Sequence, residues 1–246
     1  MPNVFQFGHF QQFPELVHGV STVEFGNMSF NWGEDADVKQ NRNQFFTTLN
    51  VAPEQVVVAS LLHGATVVNI EPEDRGKGIV NREDSVRGDS LVTSKPDTFL
   101  FLVVADCLAL FCYEPVKKVC ALAHAGWRGL EAEVPKNTLT HMVKEYGCDA
   151  QEIWCGFSPM QRRSRNPQVL KSKDFWLPYQ VKTNDDAYVD LVKAALDQVQ
   201  GAGVLLEHIE DPGIDTVTDR QFFSHRRSEE AHEPEGRFGC LIGFRS

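Results

Sequence analysis

Between Thr98 and Ala123 the chain passes through three apolar runs with very little polar interruption: Thr98 to Ala105, Leu108 to Tyr113 and Val119 to Ala123. Each is short, rich in β-branched or aromatic residues and bounded by turn-forming or charged residues, which is the signature of a strand. A strand with one wet face alternates apolar and polar side chains. These runs do not alternate, so the sheets they enter are covered on both faces. Gln55 to Ala59 and Thr66 to Ile70 are expected strands of the same kind.

Helices supply the cover. Val38, Arg42, Phe45 and Leu49 recur at helical spacing over Asp37 to Leu49, with Phe46 beside them and Pro53 beyond the end. Glu131 to Tyr146 sets Leu139, Met142, Val143 and Tyr146 on one face and stops at Gly147. Asp186 to Gln200 repeats the pattern with Val189, Val192, Leu196 and Val199, and Gly201 and Gly203 separate it from a strand-like Val204 to Leu206. Glu71 to Asp89 and the Arg-rich Ser158 to Lys173 read as loops, too short to be linkers between independent domains. Both element types occur without a regular βαβ repeat, so the expected class is α+β. A length of 246 residues with 42% hydrophobic composition fits one domain over 1–246.

Charge and cysteine usage narrow the function. With 24 basic against 34 acidic side chains the net charge is -10, and no basic stripe for nucleic acid is present. A small-molecule substrate fits better. No run reaches membrane-spanning length, and the opening residues lack the basic region and continuous apolar core of a secretory signal. The six cysteines do not show the spacing of a disulfide framework, and three lie inside expected buried strands, so a reducing cytoplasm is expected.

His63, Cys107 and His124 are the residues for chemistry. A single His or Cys in an apolar run ordinarily packs. These three each follow or begin an expected strand, and strand ends can gather around one pocket. Gly64 follows His63 and Ala125-Gly126 follows His124, leaving room for a close approach to the rings. Separations of 44 and 17 residues rule out a helix-borne metal motif, so the fold must bring the groups together. Two imidazoles and a thiol can bind one zinc and leave its fourth position open, the catalytic pattern. The same residues admit a metal-free thiol hydrolase or amidase, with Cys107 as nucleophile and His124 as base, in which His63 has no part. A non-catalytic nucleotide-binding module is the third reading.

The neighbours of these residues add groups that recognise planar or anionic ligands. Trp127 offers a face for a base, and Arg128 a fork for phosphate or carboxylate. Asp89 either orients a histidine by accepting its other ring proton or caps a turn. Phe222 to Arg227 joins aromatic, hydroxyl, imidazole and paired cationic groups, which makes an anion site or a solvated face.

Together these motifs resemble the laccase-domain proteins, also called multicopper polyphenol oxidoreductases and regarded as purine nucleoside phosphorylases. The resemblance rests on His18 to Thr22, Asn31 to Arg42, Leu62-His63-Gly64, Gly88 to Thr93, Ala105-Asp106-Cys107, His124 to Gly129, and FFSHRR followed by Gly236-Arg237. It covers nearly the whole chain; HAGWRG and ADC in that order are its most specific parts.

What the resemblance implies is zinc on His63, Cys107 and His124 within a single-domain, four-layer α/β/β/α sandwich with mixed sheets. The implied activity is phosphate-dependent cleavage of adenosine, inosine, guanosine and methylthioadenosine, with deamination of adenosine. Zinc is expected ahead of copper, since one thiolate and two imidazoles form a single site and cannot be a multicopper centre. Arg42, Arg128 and Arg226 are the candidates for holding phosphate, and Asp89 for support beside the substrate. The expected partners are purine nucleosides and phosphate, with the chain a monomer or small homo-oligomer. Departures from the family pattern fall at Gly156 to Met160, followed by QRRSR, and at Asp215 to Asp219 (DTVTD).

Overall fold

A computed structural model gives the fold and describes residues 2–79, 81–166, 174–184 and 186–246. In chain order the strands are β1 Val4–Phe5, β2 Leu16–Ser21, β3 Val56–Ser60, β4 Val67–Asn69, β5 Val86–Arg87, β6 Ser90–Thr93, β7 Phe99–Val104, β8 Leu108–Glu114, β9 Val119–Ala125, β10 Trp154–Phe157, β11 Arg163–Ser164, β12 Gln180–Lys182, β13 Ala187–Asp190, β14 Ile209–Glu210 and β15 Phe238–Phe244. The helices are α1 Asp35–Thr48, α2 Trp127–Glu131, α3 Val134–Tyr146, α4 Leu191–Gly201 and α5 His225–Ala231.

Two six-stranded sheets form, in the orders β1-β2-β15-β7-β3-β5 and β14-β10-β8-β9-β6-β4, each mixing parallel and antiparallel pairs. The alternate side chains of β7 explain its unbroken apolar sequence. Leu100, Leu102 and Val104 join Phe111 and Leu122 of the second sheet in the layer between the sheets. Phe99 and Phe101 join Phe45 and Phe46 of α1 on the outer face. Beyond the second sheet, Leu110 and Ala121 pack with Leu139 and Met142 of α3 and Val199 of α4. The layers therefore run helix, sheet, sheet, helix in a single α+β domain. Each fully buried phenyl ring contributes about 2 kcal/mol relative to exposure, so α1 is held mainly by its apolar stripe. Its Asp35 and Asp37 suit the first turn, and left-handed Asn50 follows its end.

The structure departs from the periodicity in specific places. The helix expected over Glu131 to Tyr146 starts only at Val134, Glu131 being the last residue of α2, because Glu133 turns left-handed at φ 57° and Pro135 sits in the first turn, where it has no N–H to donate. The helix expected from Asp186 begins only at Leu191. Ahead of it β13 pairs with β11 and β12, and Asp190 caps the helix by accepting Lys193 N–H at 2.9 Å. Val204 to Leu206 is not a strand; β14 follows a turn over Leu206–His208 instead. Ser158 to Lys173 contains β11, and its residues 167–173 lie outside the described residues.

The expectation missed β15, central to the first sheet, because its glycines weaken the strand signal. They are there for packing: a Cβ on Gly243 would stand 2.4 Å from the Phe99 ring and 2.7 Å from Thr98 O. No helix among the described residues is long and apolar enough to cross a membrane. All six cysteines are free thiols.

His18 on β2 ties the N-terminal segment to the first sheet. Its Nε2 accepts the Phe7 N–H at 2.9 Å, and its ring packs against Phe7 and Phe10. Burial, reinforced by His9, lowers its pKa from 6.5 to about 4. The unfolded chain therefore binds the proton first as pH falls, and the stability His18 contributes is complete above 6.5 and lost toward 4. That loss is roughly 3 kcal/mol at about 1.4 kcal/mol per unit. Urea unfolding at about pH 7 and about pH 4.5 should show a stability drop in the wild type larger by about 2 kcal/mol than in His18→Gln. Equal drops would contradict the assignment.

Candidate active site

The chain leaves the first sheet at Val104 and enters the second at Leu108, turning on Asp106 in left-handed backbone at φ 75°. Cys107 is thereby set at the mouth between the sheets. The β8–β9 hairpin pairs Ala109 with His124, which returns the imidazole to the same end. His63 arrives separately, just past β3, which runs parallel to β7; it too is left-handed, at φ 61°. Left-handed backbone at a non-glycine residue is uncommon and concentrates at functional sites.

The His63 and His124 rings meet edge to face with centroids 5.0 Å apart. A Cβ on Gly126 would stand 2.8 Å from Cys107 Sγ and 3.8 Å from His124 Cε1. Thiol and imidazole thus border one space that only a glycine leaves open. All three residues line a cleft of about 1100 Å³.

Burial, followed by the charge of Asp106, pushes the Cys107 thiol up to about 12, while Arg237 acts in the opposite direction. Burial and then His63 lower His124 to about 4, against the pull of Asp89, so the ring is neutral near pH 7. Among the described residues no hydrogen bond joins Cys107 to His124, and His124 Nδ1 is buried without a partner. The thiol–imidazole hydrogen bond that activates a metal-free thiol nucleophile is thus not formed between Cys107 and His124.

Among the described residues no three His, Cys, Asp or Glu side chains stand together as a group that could hold a metal ion. The donors nevertheless fit a metal in kind. A neutral imidazole with an unpartnered buried nitrogen, a second imidazole against it and a thiol across the Gly126 gap are the borderline-soft set that suits zinc. A cation there would also favour the thiolate.

Of the two roles expected for Asp89, its hydrogen bonds are those of a turn cap. Fully buried at the start of β6, it accepts Leu62 N–H at 3.0 Å on one oxygen and Thr66 N–H at 3.3 Å on the other, and its carbonyl accepts His124 N–H at 2.7 Å. Its carboxylate takes backbone protons rather than a ring proton and holds the His63 loop.

The cations separate by location. Arg42 is 5% exposed, donates to Met28 O and Gly78 O, and lies between the Phe30 and Phe101 rings. Phe101 belongs to the outer, α1-facing layer and Cys107 to the layer between the sheets. Arg42, packed against Phe101 of the α1-facing layer, lines the same cleft as Cys107. Exposed Arg128 stacks on Trp127 at 4.2 Å, and Arg226 lines the cleft beside Cys107's turn. Arg227 is structural: it bonds Glu233 and the carbonyls of Thr216, Asp219 and Phe222.

Trp32 was not singled out in the sequence, and Arg237 appeared only within the C-terminal signature. Arg237 lies 5.0 Å from the Trp32 ring, is held by Glu235 at 2.5 Å, and its charge reaches Cys107. Its position in the C-terminal signature was the available signal; its proximity to Cys107 needed the fold.

Replacing Asp89 with Ala removes two part-buried hydrogen bonds to a carboxylate, from Leu62 N–H and Thr66 N–H, each contributing about 1–2 kcal/mol. Urea unfolding should find Asp89→Ala destabilised by about 2–4 kcal/mol and Asp89→Asn by roughly half as much. An Ala variant within about 0.5 kcal/mol of wild type would contradict this role.

Comparison with known proteins agrees with the fold. The chain is 31% identical over 221 residues to purine nucleoside phosphorylase YlmD of Bacillus subtilis, covering 86% of this chain and 77% of that protein. It is 29% identical to mouse purine nucleoside phosphorylase LACC1 over 186 residues, 68% of this chain but only 40% of that longer protein. The crystal structure of YlmD from Geobacillus stearothermophilus superposes with a TM-score of 0.88 at 26% identity, covering both chains completely. YfiH of Bacillus licheniformis shares the fold, with a TM-score of 0.88 at 20% identity over all of this chain and 97% of that one. The family described as multi-copper polyphenol oxidoreductase laccase matches residues 13–245, and the chain belongs to it.

Proposed function

We propose that the chain is a zinc-dependent purine nucleoside phosphorylase. Its substrates are adenosine, inosine, guanosine and methylthioadenosine, and it also deaminates adenosine. The observation that carries this reading is one cleft in which two imidazoles and a thiol adjoin cations and aromatic planes. The names of the relatives support it. His63, Cys107 and His124 would hold the ion, which supplies a Lewis acid at the cleft floor. In phosphorolysis the base–ribose bond breaks as phosphate oxygen bonds to the ribose carbon, giving free base and ribose 1-phosphate.

The chain's own groups meet the needs of that exchange. Arg226 and Arg128 offer guanidinium donors to phosphate, which Arg binds in a planar fork. The Trp127 indole offers an apolar face to the purine. Asp89 keeps the His63 loop in place, and His124 stays neutral and able to donate a lone pair. A cytoplasmic location is part of the proposal, since free thiols at all six cysteines suit a reducing compartment.

Purified chain should carry about one equivalent of zinc and release ribose 1-phosphate from inosine and adenosine only when phosphate is present. A chelator should abolish turnover and added zinc restore it. Stoichiometric zinc without turnover of any of the four nucleosides would remove the activity and leave a nucleotide-binding module. Gly126→Ala sets a methyl into the gap between Cys107 and His124. Zinc affinity should fall by about 10–100-fold, with the far-ultraviolet spectrum unchanged. Wild-type zinc affinity in that variant would refute the assignment of the gap.

A further inference from the structure

Asp106 is only 8% exposed, and each of its oxygens has a donor. The Thr216 hydroxyl donates to Oδ1 at 2.6 Å, the Arg226 backbone N–H to Oδ2 at 2.7 Å, and Gln161 N–H to the carbonyl at 2.8 Å. These donors come from three segments remote in the chain. Two of the segments are also joined to each other: Met160 and Asp215 form a parallel bridge, Met160 N donates to Ile214 O at 3.3 Å, and Thr216 N donates to Met160 O at 3.2 Å. Met160, Gln161, His225 and Arg226 line the same cleft as Cys107.

We infer that Asp106 is a positioning residue for the phosphate half of the reaction: its carboxylate locks α5, and with it Arg226, to the turn that carries Cys107. This rests on the assignment of Arg226 to phosphate made above. The other bonds of the Arg226 side chain do not supply the lock. Its contacts with Glu229 and Glu230, at 3.7 and 3.8 Å, stay within α5. Arg227 ties α5 to Thr216, Asp219 and Phe222, which are wall segments themselves. The Asp106 carboxylate joins both wall segments, through Thr216 and Arg226, directly to the residue before Cys107.

Donor chemistry separates the lock from simple charge. A backbone N–H can only donate, whereas a hydroxyl can donate or accept. Asparagine at 106 can accept from Arg226 with its oxygen and donate its amide to Thr216, preserving both bonds without the charge. Alanine preserves neither.

The experiment compares the full-length wild type with Asp106→Ala and Asp106→Asn. It measures the KM for phosphate and kcat in inosine phosphorolysis, the Kd for inorganic phosphate by calorimetry, and amide hydrogen exchange over residues 222–231. Asp106→Ala should raise phosphate KM and Kd by about tenfold or more, lower kcat less, and accelerate exchange in that segment by about tenfold. Asp106→Asn should stay within about threefold of wild type on each measure. The inference is overturned if Asp106→Ala binds phosphate within about twofold of wild type, or if Asn is as impaired as Ala. Should wild type neither bind phosphate nor turn over inosine, the phosphorylase reading fails by itself. The exchange data then decide alone: acceleration in Ala with rescue in Asn supports the lock, and unchanged exchange in Ala overturns it.

Discussion

The site depends on one change of direction, the passage from β7 to β8. Stacked sheets lie about 10 Å apart, and the steps from Val104 to Leu108 reach at most about 14 Å. Ala105, Asp106 and Cys107 are all that separate the two strands. The connection has little slack, and the left-handed turn at Asp106, of order 1–3 kcal/mol in strain, is retained because both flanking strands are locked in buried sheets. Cys107 therefore cannot wander. The hairpin to β9 and the parallel pairing of β3 with β7 then bring His124 and His63 to the same end. Donors 44 and 17 residues apart become neighbours because three strand ends are fixed by the same layer of apolar side chains.

What was legible in the sequence follows from this. The unbroken apolar runs of β7, β8 and β9 announce strands buried on both faces, and the α1 stripe is visible in Val38, Phe45 and Phe46. Less legible were elements whose sequence serves packing against something distant. β15 carries glycines because the Phe99 and Phe101 rings of its neighbour need the room. β13 hid inside a helical pattern because Val189 happens to fall on the stripe of α4. At the site, residue type and small neighbours pointed to His63, Cys107 and His124. Asp89 and Arg42 are legible in the sequence as candidate ligand-binding groups; the fold shows the backbone bonds each also makes, Asp89 to the His63 loop and Arg42 to Met28 O and Gly78 O, with Arg42 lining the cleft. Arg237 shows the reverse, an ordinary C-terminal cation brought beside Cys107 by the position of β15.

The two segments that depart from the family pattern are spatial neighbours. Met160 from the first bridges Asp215 from the second, and Thr216 continues to Asp106. Met160 and Gln161 of the first segment line the cleft that His63, Cys107 and His124 also line, and those three residues come from other elements, at the ends of β3, β8 and β9.

The central claim is that His63, Cys107 and His124 form one metal site. X-ray absorption at the zinc edge of the purified protein tests it most directly. The account predicts a first shell with one sulfur at about 2.3 Å and two imidazole nitrogens at about 2.0 Å, completed by a light atom. A shell without sulfur, or one in which Cys107→Ser leaves the spectrum unchanged, would contradict it.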